Sequence, residues 1–501
     1  MEPSSSVDAL IIEDLGQQKL PARYLTALVR RAGLRVRLVD LNDGTEALVA
    51  LAKRTTPRVI VSSILFADRV DEILALMTAL RDACPGIHLA LAGHLPALAS
   101  TELRTACPAL DSVLCGEPEA NAHVIASTFA PPGVSSAKQS PNRDLGIASA
   151  RKPCLAMTTL DDLPFPAHDD SIAAYLGCGF ATIEASRGCY HTCAFCLPSA
   201  FYRAQGAPYR LRGIANLIDE IETLDRQGAH LFLFDDEQFL PPKPAREERV
   251  AAFADELARR NLQIAFTLKC RADDVDEALF RRLQEVGLLR VYIGIESGDQ
   301  ATLDLYNKRV TAQQNTRALA VLDALGIVAD FRALIFHPWS TLDTLRAEIA
   351  FLQNVLPYCS TAFDFREVEI YPGTPLANRL RDEGNCGNKT WQVSYSLPDP
   401  RAEFVRHLHR IVFNQSDAYR NIQDTLTCEW FACLLARRFR PSLSDTERIR
   451  ELKDRALRVN SAVLNVWRDM LKFANGEESF DASRGNARVR AWAARLNMLR
   501  G

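Results

Sequence analysis

The chain has 501 residues, of which 48% are hydrophobic and 24% charged, and its formal net charge is −3. This length allows two or three domains, and the balance is that of an ordinary globular protein with no extended basic face for nucleic acid. No apolar run reaches the roughly 18 residues of a membrane helix, and the start MEPSSSVDALIIED lacks a signal-peptide core, so a cytoplasmic protein without nucleic-acid or membrane partners is expected.

Residues 8 to about 130 alternate short β-branched runs with helical periods. The strands read DALIIED, RVRLVDL, VIVSSIL, HLALAG and SVLCGE, and helices are predicted over Gln17–Ala32, Thr45–Arg54 and Arg69–Ala83. Five βα units of this kind predict a doubly wound, Rossmann-like parallel sheet that takes ligands at the carboxyl ends of its strands. No G-x-G-x-x-G follows the first strand, which argues against a dinucleotide site. The stretch PPGVSSAKQSPNRDLG at 131–146 is rich in Pro, Ser and Gly and marks a linker.

A second alternation begins near 180. Its strands are ATIEAS (181–186), HLFLFDD (230–236), IAFTLKC (264–270), RVYIGIES (290–297), VADFRALIF (328–336) and FDFREVEIY (363–371). Helical periods over Ile214–Gln227, Glu247–Arg260, Asp276–Val286, Thr311–Leu325 and Thr341–Asn354 separate them. Six repeats predict a partial (β/α)6 barrel of the TIM type, with chemistry on the loops that follow the strands. Residues 384–501 read mainly helical and carry no motif. The α/β chain thus divides into 1–130, a linker at 131–160, a barrel at 161–383 and a helical region at 384–501.

Thirteen cysteines in a cytosolic chain do not make a disulfide framework, and only three of them cluster. They stand in Ser186-Arg187-Gly188-Cys189-Tyr190-His191-Thr192-Cys193-Ala194-Phe195-Cys196, directly after the first barrel strand. Three thiolates spaced C-x3-C-x2-C can wrap one corner of a cubane, and a [4Fe-4S] cluster with three protein ligands leaves one iron open. The alternative is a zinc loop with His191 as fourth ligand, but zinc sites usually pair two ligand couples across a spacer and no second couple follows.

This spacing, with Phe195 before the third cysteine, resembles the signature of the radical S-adenosylmethionine (SAM) superfamily. The resemblance runs from Leu163-Pro164-Phe165-Pro166 to Tyr371-Pro372-Gly373-Thr374-Pro375-Leu376 and takes in RGCYHTCAFC, YRLR, FLFDDEQFL, GIESGDQATLDLYNK and YPGTPL. It implies a [4Fe-4S] cluster on Cys189, Cys193 and Cys196 whose open iron is chelated by SAM. Electron transfer, from an external donor such as flavodoxin or ferredoxin, then splits the sulfonium and releases a 5′-deoxyadenosyl radical. In IAFTLKCR the apolar face is Ile264, Phe266, Leu268 and Cys270, so Lys269 and Arg271 point into the barrel as candidates for the SAM carboxylate. The same alternation turns Glu296 inward. Glu296, Ser297 and Phe195 match family positions near the nucleotide, and Asp235 and Asp236 stand where the family contacts the methionine amine.

VIVSSILF, LALAGH and DSVLCGEPE, in that order before the barrel, resemble the cobalamin-binding domain that precedes many radical SAM domains. The resemblance places cobalamin against Ser62, Ser63, Leu65, Phe66, Gly93, His94, Gly116 and Glu117. One departure is plain. Where some cobalamin domains carry D-x-H-x-x-G, this chain has Glu13-Asp14-Leu15-Gly16-Gln17-Gln18, and no histidine precedes His88. Cobalt is therefore expected to have no protein ligand below it, or a weak one from the Leu65–Arg69 loop.

The expected function is a cobalamin-dependent radical SAM methyltransferase acting on an unreactive carbon of a small-molecule substrate. A radical rearrangement or cyclisation without methyl transfer is the alternative within the family, and a non-catalytic cobalamin or iron–sulfur sensor the alternative outside it. No residue is assigned a catalytic acid or base role. At the end of strand five, Phe336-His337-Pro338-Trp339-Ser340-Thr341 replaces the family's usual glycine-rich turn. His337 and Trp339 are expected to shape the substrate pocket there.

Overall fold

The structure, a computed structural model, describes residues 7–17, 19–129, 159–168, 172–385, 391–414, 417–441, 446–476, 488–492 and 494–495. The linker expected at 131–160 lies outside the described residues apart from its last two positions.

The amino-terminal unit runs β1 (Ala9–Glu13), α1 (Leu20–Arg31), β2 (Val36–Asp40), α2 (Thr45–Thr55), β3 (Val59–Ser63), α3 (Val70–Ala83) and β4 (His88–Ala92). It continues with the short α4 (His94–Leu98) and α5 (Ser100–Ala106), then β5 (Ser112–Leu114) and α6 (Pro118–Phe129). The five strands are parallel in the order β2-β1-β3-β4-β5. Each central strand is apolar on both faces because helices cover both sides. Leu10 and Ile12 pack with Met77 and Leu80, while Ala9 and Ile11 pack on the other side with Tyr24, Val29 and Ile125. The first helix starts at Leu20, later than its sequence period suggests, with Pro21 in its first turn.

The central unit opens with a hairpin of β6 (Ala173–Tyr175) and β7 (Cys178–Ile183), then β8 (Ser186–Gly188), α7 (Leu197–Ala204) and β9 (Tyr209–Leu211). Regular βα repeats follow: α8 (Ile214–Arg226), β10 (Leu231–Phe234), α9 (Ala245–Arg259), β11 (Ala265–Arg271), α10 (Glu277–Glu285) and β12 (Leu288–Gly294). After α11 (Gln300–Leu305) and α12 (Ala312–Ala324) come β13 (Val328–Asp330), β14 (Arg332–Phe336), α13 (Leu342–Val355), β15 (Asp364–Glu367) and α14 (Pro375–Asp382). Strands β7, β10, β11, β12 and β13 are parallel neighbours, and β14 pairs in parallel with β15. The two sheets meet where β13 runs into β14 and through a bridge between Glu296 and Ala333. The result is the six-strand partial barrel expected from the sequence, with strand five bent at Phe331.

The helices α15 (Pro400–His409), α16 (Asp417–Phe439) and α17 (Thr446–Ala474) give the carboxy-terminal region a purpose that its sequence did not show. Helix α16 reaches from one edge of the barrel to the other. Tyr419 Oη and Gln423 Nε2 both donate at 2.7 Å to the Phe363 carbonyl beside β15, and Phe431 packs on Tyr175 of β6 at 5.6 Å between ring centroids. Helix α17 adds Trp467, fully buried against Phe365 at 5.2 Å. Arg438 of α16 donates to the carbonyls of Ile264, Glu285 and Val286 just before β11 and β12, so α16 underlies the amino-terminal ends of the barrel strands. No helix of the described residues is long and apolar enough to cross a membrane.

Candidate cofactor site

The cysteine loop leaves β8 at Gly188, whose φ of +81° and close approach to the Pro208 carbonyl suit only glycine. Cys189, Cys193 and Cys196 are free, and burial raises the Cys196 thiol well above its usual range and the Cys189 thiol to about 12. Such thiols lose their protons when a metal takes their place. Arg271 Nη1 lies 3.6 Å from Cys193 Sγ and supplies positive charge for a thiolate. Among the described residues no three His, Cys, Asp or Glu side chains are gathered to hold one ion. His191 is stacked on Tyr190 at 4.2 Å and kept neutral by burial, with a value near 3.

Around this loop the barrel strands end in charge pairs. Lys269 Nζ donates to Asp235 Oδ1 at 2.7 Å. Burial alone would raise the Asp235 carboxyl, yet the Lys269 ammonium holds it below its ordinary value. Glu296, left-handed at φ +61°, receives Lys308 Nζ at 2.8 Å. Asp236 turns the other way: it accepts Ser186 Oγ at 2.6 Å and the Ala185 amide at 3.0 Å, bracing the turn from β7 to β8. Its carboxyl is pushed up to about 7, chiefly by burial. Ser297 also faces outward, donating to Glu348 of α13. Phe195 packs edge-on against Tyr306 at 5.0 Å.

Glu237 is the residue that sequence reasoning missed. It shares a cleft with Asp235 and Lys269, and burial raises its carboxyl against the pull of Lys269. The alternation that turns Asp236 outward puts Asp235 and Glu237 on one side, so the signal was present in the run Asp235-Asp236-Glu237.

The same cleft continues into the amino-terminal unit. Leu65 and Phe66 line it with Lys269 and Glu237, and an adjoining cavity is lined by Ser63, Gly93, Gly116 and Asn121. His94, Arg187 and Tyr202 line both. Gly93 has φ +115°, and a Cβ there would lie 2.2 Å from the Ile64 carbonyl oxygen, so β3 and β4 approach as only glycine allows. Ser62 Oγ, His94 Nδ1 and Glu117 Oε1 are buried without a hydrogen-bond partner in the described chain. Buried polar groups ordinarily have partners. Of the three only His94 lines the cleft, and its unpartnered ring nitrogen beside a glycine-walled entrance fits the polar tail of a nucleotide-bearing cofactor such as cobalamin. The His94 ring stands 4.3 Å from Phe201 of α7 and burial lowers it to about 3, so the imidazole is neutral. The loop after β1 offers Asp14, paired with Arg69 at 3.0 Å, and no imidazole.

The expected pocket residues fall elsewhere. His337 is buried with Nε2 3.2 Å from Thr302 Oγ1, and Trp339 donates at 2.8 Å to Glu383 beneath the Arg379 guanidinium. Neither lines the cleft.

A family model of the radical SAM superfamily matches residues 183–345, and a model of the B12-binding domain matches 17–125. The chain is 26% identical to the hopanoid C-3 methylase of Methylococcus capsulatus over 69% of its own length and 65% of the methylase. It is 32% identical to the anaerobic magnesium-protoporphyrin IX monomethyl ester cyclase of Rubrivivax gelatinosus, over 40% of this chain and only 34% of the cyclase. Its fold superposes on the cobalamin-dependent SAM radical enzyme OxsB with aqua-cobalamin and SAM bound, at TM-score 0.62 and 15% identity over 99% of this chain and 85% of that one. For TsrM of Kitasatospora setae, a radical SAM methyltransferase, the TM-score is 0.57 at 17% identity over 75% and 76%. With a cobalamin-binding domain followed by a radical SAM barrel, the chain belongs to the cobalamin-binding radical S-adenosylmethionine enzymes.

Proposed function

We propose that this enzyme is a methyltransferase that uses SAM and cobalamin to methylate an unreactive carbon of a small molecule. The observation that carries the reading is the cleft in which Gly188, where the cysteine loop leaves β8, the Asp235–Lys269–Glu237 group and the strand ends of the B12-binding domain meet. When bound, the cluster, SAM and cobalamin supply the radical and methyl-transfer chemistry, and the protein supplies position and electrostatics. Cys189, Cys193 and Cys196 hold the cluster. Asp235 and Glu237 offer carboxylates to the methionine amine of SAM, and Lys269 and Arg271 offer cations to its carboxylate. Phe195 and Glu296 bound the nucleoside, while Ser62, Ser63, Gly93, His94 and Gly116 receive cobalamin. Leu65 and Phe66 close over it from β3, and Phe66 rests against Tyr371 at 6.2 Å. An external one-electron donor, a flavodoxin or ferredoxin, completes the requirement.

The relationship to the cyclase supports a second reading, ring closure without methyl transfer. One measurement separates them. A methyltransferase releases S-adenosylhomocysteine when cobalamin and a reductant are supplied, and releases none without cobalamin. Release of 5′-deoxyadenosine with no S-adenosylhomocysteine under either condition would move the assignment to cyclisation or rearrangement.

A further inference from the structure

The inside of the barrel carries two arginines that the cofactor cleft does not use. Phe365 of β15 packs outward on Trp467 and Phe413, so Asp364 and Arg366 of that strand face the interior. On β14, Ala333 and Ile335 lie in the outer core, which turns Arg332 inward. On β12 the outer core takes Val291 and Ile293, and Tyr292, in register with Lys269, lies inside beneath the Arg332 guanidinium at 5.6 Å. The interior is open to solvent: Leu233 of the central strand β10 is 38% exposed between Phe232 and Phe234, both at 0%.

Arg332 and Arg366 remain 53% and 56% exposed there. Their ion pairs both end on Asp364, each through Nε alone, at 3.3 and 2.7 Å. Among the described residues the terminal nitrogens of both guanidinia have no hydrogen-bond partner. The other carboxylate near Arg332, Glu369, is engaged by the Tyr371 hydroxyl. Two planar forks with four unused nitrogens, one of them oriented by an aromatic face, match the bidentate geometry of an oxyanion.

We propose that the substrate carries a carboxylate or phosphate, and that Arg332 and Arg366 bind this group inside the barrel. The inference rests on the reading of the chain as a radical SAM enzyme, with its chemistry at the carboxyl ends of the strands that enclose this interior. Leu233 gives the rest of the molecule an apolar wall. The substrate class is therefore an organic anion with an unactivated carbon.

The test uses the full chain with its cluster reconstituted and with cobalamin and SAM bound, so that Lys269 and Arg271 are already occupied. Inorganic phosphate and acetate are titrated separately by calorimetry. One anion per chain is expected, bound about tenfold or more weakly by R332Q/R366Q, the loss of one or two charge-assisted hydrogen bonds. Asp364→Asn, which frees both forks, should tighten binding, and R346Q on the outer surface of α13 should leave it unchanged. Preference for phosphate assigns a phosphorylated substrate, and preference for acetate a carboxylate. Equal binding by the wild type and R332Q/R366Q, or no binding by the wild type, overturns the proposal. Should R332Q/R366Q fold poorly, as judged by its iron content, the D364N arm decides: unchanged or weaker binding there also overturns it. Failure of the family reading would look different, as absent iron or absent S-adenosylhomocysteine in the wild type.

Discussion

Replacing Cys189, Cys193 and Cys196 together by Ala should take the iron of anaerobically reconstituted protein from about four atoms per chain to none. The three thiols stand on one loop after β8 and have no disulfide partner. Burial disfavours the thiolates of Cys189 and Cys196, so without metal these two stay protonated. Iron binding thus depends on the thiols acting together, and no other trio of His, Cys, Asp or Glu among the described residues is gathered to replace them. The triple variant should lose the broad visible absorption of the cluster and all SAM cleavage. Iron retained by the variant, or zinc bound in place of iron by the wild type, would remove the cluster from these residues.

Arg187→Met should destabilise the enzyme by about 4 kcal/mol, the usual cost of removing one member of a buried ionic group. Arg187 is 3% exposed and contacts Glu184 of the barrel together with Glu117 and Glu119 at the start of α6, and Arg210 contacts the same two α6 carboxylates. The group crosses from one domain to the other beside the cofactor cleft, and the Arg187 guanidinium also covers Tyr24 at 4.9 Å. Burial raises the Glu117 carboxyl even though two guanidinia touch it, so it lives near the limit of what the site can charge. Without Arg187 the Glu117 carboxyl rises further, and a carboxyl whose folded pKa is raised loses stability as pH climbs above its unfolded value of about 4.3. The deficit of R187M should therefore grow with pH. Adding Glu117→Gln should recover part of it at neutral pH. Chemical unfolding of the variants across pH checks this, and a deficit that does not change with pH would mean the group is not held by charge.

Most of the fold was legible because its period is strong. Strands such as ALIIE and VIVSS are apolar on both faces, which only a sheet covered on both sides explains, and the observed bounds of the barrel helices depart from the sequence periods by a residue or two. The cysteine loop was legible from spacing alone. What the sequence concealed lay in contacts between distant segments. Asp235 and Asp236 read as equivalent acids, and only the turn at Ala185–Ser186 shows that Asp236 is spent on the Ala185 amide and the Ser186 hydroxyl while Glu237 joins the cleft. Ser297 matched a nucleotide position, yet its hydroxyl is given to Glu348 of a helix fifty residues on. Helix α16 carries no motif because its task, covering the amino-terminal ends of the barrel strands, requires only a face of the right length. His337 and Trp339 were singled out for their bulk where glycine is usual. The bulk is used against Thr302 and α14.

The most direct test of the account is the anaerobic reaction of the iron-reconstituted 501-residue chain with SAM and a strong one-electron reductant, followed by quantifying nucleosides. Cleavage at a cluster held by Cys189, Cys193 and Cys196 predicts 5′-deoxyadenosine from the wild type, dependent on the reductant and absent from the triple alanine variant. SAM left intact by a wild-type protein that holds its full iron, or 5′-deoxyadenosine formed equally by the variant, would contradict it.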